Sequence, residues 1–158
     1  MAITSFKAGE AISAGELVYV SSASYVYKAS SIVLDQASVV GIAVDSGIAG
    51  SLIRVNCDAV YPSASGVTPG EYRYLSILVS GQHVPYPTWA SELASTAYDG
   101  AYLTNIGRAV STTSVEIEIA KPLFISNPTS VLLMESSTGV ILDAILQEDG
   151  STIDLETA

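Results

Sequence analysis

Short apolar runs, broken every few residues by glycine, serine or proline, recur along most of the chain. That spacing predicts strands and turns rather than long helices. Residues 17–21 are rich in valine and leucine around Tyr19, Ser22-Ala23-Ser24 is a candidate turn, and Tyr25-Val26-Tyr27 reads as the returning strand. Residues 39–44 form a continuous apolar run with Gly41 inside it, and a glycine in a strand marks a bulge or a close backbone approach. Residues 52–57 read as the next strand. Further along, residues 71–79 predict a strand, Ser80-Gly81-Gln82 a turn, and His83 the start of its partner. Residues 105–110 and 114–120 predict two more. The last alternates cleanly: Val115, Ile117 and Ile119 face one way, Glu116 and Glu118 the other. Residues 2–13 are short and mixed, residues 29–37 are ambiguous, and residues 61–70, with two prolines and two glycines, read as a connector. Thr88 is a candidate cap for a short helix over residues 90–94, and Tyr98-Asp99-Gly100 reads as a turn.

The pattern repeats. Ala14-Gly15-Glu16-Leu17-Val18-Tyr19-Val20-Ser21 returns as Pro69-Gly70-Glu71-Tyr72-Arg73-Tyr74-Leu75-Ser76. Val40-Gly41-Ile42-Ala43 returns as Ile106-Gly107-Arg108-Ala109. The expected fold is therefore all-β: a small barrel or sandwich over residues 1–125, built from two repeated β units. The second unit carries an insert holding Pro85-Tyr86-Pro87-Thr88-Trp89. Beyond the breaker Ser126-Asn127-Pro128, a smaller repeat of strand, turn and strand predicts a hairpin extension over residues 126–158.

Charge separates the same two regions. The chain carries 16 acids and 6 bases, a net charge of −10. All six bases lie before Ser126, whereas the extension is purely acidic. Phosphate recognition needs clustered lysine and arginine, so no nucleic-acid partner is expected. No apolar run is long enough to span a membrane, and the N-terminus lacks the apolar run of a secretory signal. Cys57 is the sole cysteine, which excludes an internal disulfide and fits synthesis in a reducing cytoplasm.

Candidate chemistry is sparse. His83 is the sole histidine and reads as a surface residue; with no second histidine or cysteine cluster it founds no common zinc site. Cys57 reads as a buried inert thiol. Glu148, Asp149 and Asp154 lack the spacing of a calcium loop and read as a solvated acidic face. No Gly-x-Ser-x-Gly elbow and no phosphate-binding glycine loop is present. No catalytic residue, cofactor or metal is expected. The segment from Tyr86 to Trp89 has three readings: Trp89 packs beneath the insert, the two rings anchor a protein interface, or they stack on a sugar. With Tyr86 and Trp89, the aliphatic residues Leu132, Leu133, Ile145 and Leu146 of the extension are the candidate interface residues.

The pattern Phe6-Lys7-Ala8-Gly9-Glu10-Ala11-Ile12-Ser13-Ala14-Gly15-Glu16-Leu17-Val18-Tyr19, followed by Val39-Val40-Gly41-Ile42-Ala43, resembles the capsid cement, or decoration, proteins of tailed phages. The resemblance covers roughly residues 3–120; the acidic extension departs from it and looks like an added attachment or display element. It implies a non-enzymatic virion protein, made in the host cytoplasm, that binds the major capsid protein on the outer capsid surface. It also implies self-association, commonly as a homotrimer. A carbohydrate-binding or host-attachment module is the competing class. A lipoyl-like barrel is disfavoured, because no lysine sits at a hairpin tip in a carrier context.

Overall fold

The computed structural model describes residues 3–62 and 66–127. The first half forms β1 (Ile3–Ala8), β2 (Leu17–Val20), β3 (Tyr25–Lys28), the single-turn helix α1 (Leu34–Ala37), β4 (Gly41–Ala43) and β5 (Leu52–Asn56). These five strands close into a barrel in the order β1-β3-β2-β4-β5, with β5 returning to β1. The β1–β3 pair is parallel and the other four pairs are antiparallel. Val18, Val26, Ala43, Ile53 and Val55 fill the barrel.

The second half forms β6 (Val60–Pro62), β7 (Tyr72–Leu75), β8 (His83–Pro85), α2 (Tyr86–Ser95), β9 (Gly100–Leu103), β10 (Asn105–Ala109), β11 (Ser114–Ile117) and β12 (Leu123–Ser126). Five of them make an antiparallel sheet in the order β6-β11-β10-β7-β8, and β12 pairs with β9 in a separate ribbon. The protein is all-β in class, as expected, and each half builds its own sheet.

The two sheets share order and register. Val18 pairs with Gly41, and Arg73 with Gly107. Ala43 pairs with Val55, and Ala109 with Val115. Tyr19 lies opposite Tyr27, and Tyr74 opposite Val84. Thr4 meets Val55 as Tyr61 meets Val115. The entry turns match as well. Gly15 (φ 92°) and Gly70 (φ 87°) take the left-handed backbone that a turn of this kind requires at its third position. The following amides, of Glu16 and Glu71, donate to Ser13 and Thr68 at 3.1 and 3.0 Å. Both glycine amides then donate 2.7 Å bonds, to Ala43 and Ala109, which locks each turn to its own β4 or β10.

One core joins the halves. Leu17, Ala29, Ala37, Val39 and Ile42 pack with Leu75, Ile106 and Ile117. Leu17 serves this shared core while its neighbour Val18 serves the barrel, so β2 is buried on both faces and reads as an unbroken apolar run. The β7–β8 turn is stitched to the barrel through its backbone: Leu17 donates to Gly81, and Gly81 donates to Ala29. Buried hydroxyls close the seam. Ser31 donates to Leu75 at 2.9 Å, and Thr104 donates to Ala37 at 3.0 Å.

Several local expectations change. Residues 3–8 form a strand, although most of their side chains are exposed, because both neighbours of β1 come from distant sequence. Residues 60–62 are a strand rather than the start of a connector. The strand expected over residues 71–79 stops at Leu75. Beyond it the Glu92 carboxylate accepts from Ser76 Oγ at 2.8 Å and from the Ile77 amide at 2.7 Å, and the chain turns around that group. The insert helix starts at Tyr86 with Pro87 in its first turn, not at a Thr88 cap. Gly100 opens a strand instead of ending a turn, and Leu123–Ser126 forms a strand that had no expectation. The packed region extends through Asn127, whose side chain donates to Leu93, Thr96 and Tyr98 around the end of α2.

Candidate functional site

The insert is anchored from below. Trp89 is 1% exposed and packs with Ile77, Leu93 and Ala101. A side chain so buried cannot dock on a partner, and the expectation that Trp89 is an interface anchor is corrected on that ground. Its indole Nε1 makes no hydrogen bond among the described residues. Tyr86, one helical turn earlier, is 53% exposed. Its ring stacks on Trp89 at 6.3 Å and meets Tyr74 edge-on at 5.9 Å. Of the pair, Tyr86 offers surface and Trp89 fixes it in place. Leu132, Leu133, Ile145 and Leu146 lie outside the described residues.

His83 also departs from expectation. It is half-buried on β8, and Arg73 Nε of the facing strand donates to its Nδ1 at 3.0 Å. Arg73 donates further to the His83 carbonyl and forms an ion pair with Glu71. Burial first, and the Arg73 charge second, push the imidazole down to about 4. With Nδ1 accepting, the ring is neutral and carries its proton on Nε2. The folded protein thus binds fewer protons than the unfolded chain between about pH 6.5 and 4. Stability from the neutral ring is complete above that window and is lost as pH falls through it. At 1.36 kcal/mol per pKa unit the loss is roughly 2–3 kcal/mol by about pH 4.5. Denaturant unfolding at about pH 7 and about pH 4.5 checks this. The drop should shrink by that amount in His83→Gln, which keeps an acceptor for Arg73; an unchanged drop would refute the assignment.

Other titrating groups are structural. Arg54 grips Asp45 with two side-chain bonds of 2.8 and 2.7 Å, and its backbone amide adds a third. These bonds hold the carboxyl of Asp45, half-buried just beyond the end of β4, down at about 2. Cys57 is half-buried, and burial pushes its thiol up, away from the reactive thiolate. Among the described residues no three His, Cys, Asp or Glu side chains gather where they could hold a metal ion.

Exposed apolar side chains stand out more than charged ones. Leu78 and Val79 at the β7–β8 turn are 59% and 54% exposed, and Leu123 and Phe124 on β12 are 60% and 52% exposed. Ile48 and Leu52, flanking the loop before β5, reach 73% and 68%. Single exposed aliphatics are ordinary on a protein surface, but a pair at one turn, and two consecutive apolar side chains that leave both faces of β12 exposed, suit contact with another surface. Among the described residues no helix is long and apolar enough to cross a membrane. No protein-family model matches the chain, and no curated protein matches it.

Proposed function

We propose that this chain is a structural virion protein of a tailed phage, binding the outer surface of the capsid and bracing its lattice. The observation that carries the reading is the set of adjacent exposed apolar pairs, Leu78 with Val79 and Leu123 with Phe124, on a small acidic β domain. Such side chains favour contact, at roughly 25 cal/mol for each Å² of apolar surface removed from water. The sequence resemblance supplies the partner, the major capsid protein. Its quoted residues, 6–19 and 39–43, run through the end of β1, the Gly15 turn, β2 and β4, and of these strands β2 and β4 are paired neighbours in the barrel. A clamp that touches several capsid subunits, itself a homo-oligomer, would gain tightness from simultaneous contacts that are each modest. The acidic extension belongs to the same proposal as an attachment or display element.

Co-sedimentation tests the reading. The purified chain, mixed with capsids of the phage that encodes it but stripped of this protein, should pellet with them at a fixed ratio. Attachment should persist at high salt, because apolar contact is screened little. A chain that stays in the supernatant while binding immobilised glycans would replace this reading with host attachment.

A further inference from the structure

We propose that the groove beside Tyr19 is a docking site for an aromatic side chain flanked by a basic one, presented by a protein partner. Its position is set by β2, β3 and α1. Two adjoining hollows, of about 620 and about 290 Å³, share Tyr19 and Gln36 as lining residues. Val20, Val33 and Val40 give the larger one an apolar wall, and Asp35 stands on its rim. Tyr27 stacks on Tyr19 at 5.9 Å. Tyr27 is itself pinned, because its ring lies directly over Gly9, where any side chain would collide with it. The two rings form a fixed platform rather than a pair of loose surface side chains.

The second half of the chain says what fits there. Tyr74 holds the position on β7 that Tyr19 holds on β2, in the same register and on the same face. Helix α2 packs over β7 as α1 packs over β2. There, however, the helix has ten residues instead of four, and its first residue, Tyr86, sets an aromatic ring edge-on against Tyr74. In the first half Tyr19 takes a ring contact from Tyr27 on the neighbouring strand, and the four-residue α1 brings no ring of its own, so Tyr19 still lines an open groove. An aromatic ring from outside would complete the same contact, worth more than its buried area alone because edge-to-face pairs are electrostatically favourable.

Charge selects the flanking group. Lys28 is matched by Glu16 at 3.3 Å, so Glu10 and Asp35 set the sign of the groove. The negative faces of Tyr19 and Tyr27 add to it, so a neighbouring arginine or lysine on the partner would meet carboxylates and ring faces together. An acidic segment would be repelled. The inference rests on the capsid reading only for who the partner is; the groove and its preferred chemistry stand on geometry.

The probe is Arg-Trp amide, titrated into the full chain and followed by NMR. Shifts are expected at Tyr19, Tyr27 and Gln36, with Glu-Trp amide at least about fivefold weaker. Val33→Trp, which puts a ring into the groove from the residue before α1, should abolish the shifts. Asp35→Lys, at an exposed helix position, should weaken binding at least about fivefold without touching the core. Silence from these residues with Arg-Trp amide, or shifts produced by cellobiose and not by the dipeptide, would overturn the assignment. On capsids, Asp35→Lys should lower attachment of a chain that otherwise binds. Full attachment with Arg-Trp amide silent would sink the groove and spare the capsid reading; dipeptide binding without capsid attachment would do the reverse.

Discussion

Replacing Trp89 by alanine is expected to destabilise the protein by about 3–5 kcal/mol, the usual cost of deleting a buried indole or phenyl group. Trp89 belongs to the cluster in which Trp89 and Leu93 of α2 pack with Ile77 and Ala101, with Tyr74, Val84 and Ile125 packed around it. Its removal leaves a cavity under the helix and unseats Tyr86. Trp89→Phe should cost much less, since most of the buried ring stays and the indole Nε1 gives up no hydrogen bond. Chemical unfolding of the two variants checks both statements. Equal losses would mean that the N–H has a partner; a negligible loss for alanine would mean that the ring does not support the helix.

Gly107→Ala is expected to cost about 3 kcal/mol or more. Gly107 sits on β10, in the middle of the second sheet, where the pairing with β7 shifts register. A Cβ there would stand 1.9 Å from the Glu116 carbonyl oxygen, an atom of the neighbouring strand that cannot swing away. Its φ of 151° adds a backbone conformation that side-chain-bearing residues rarely adopt. Strained backbone and overpacking each cost roughly 1–3 kcal/mol, and here they coincide. Gly50→Ala serves as the comparison: it shares a positive φ, but its Cβ would meet nothing within 4 Å. Gly107→Ala should therefore lose clearly more stability than Gly50→Ala, and equal losses would show that the close approach to Glu116 is unimportant.

Gly107 was legible in the sequence because it stands in a short pattern, an aliphatic residue and a glycine two positions before an alanine, that occurs twice. The Gly-Glu turns were legible for the same reason: their chemistry is local, and a turn needs only its own four residues. β1 was not legible, because its partners β3 and β5 come from elsewhere and its burial pattern has no apolar face to betray it. β12 is hidden likewise, since it answers to β9, about twenty residues away. The end of β7 at Leu75 depends on Glu92, a carboxylate on a helix that the strand pattern does not mention.

The aromatic insert was found but its roles were not assigned. Tyr86 and Trp89 lie three residues apart, and only the seating of α2 decides which ring is covered. His83 looked like a surface residue because nothing in its own segment announces Arg73, the cross-strand partner that shuts it in. The groove at Tyr19 had no signal at all: it exists because α1 is short, and residues 29–37 carried neither a helical nor a strand period.

Imaging of the encoding phage's capsids by electron cryomicroscopy, with and without this chain, tests the central claim most directly. The account predicts added density on the outer surface at fixed lattice positions, into which the barrel and the five-stranded sheet fit, touching capsid protein through apolar side chains such as Leu123 and Phe124. Capsids that look the same with and without the chain, in preparations that contain it in excess, would contradict it.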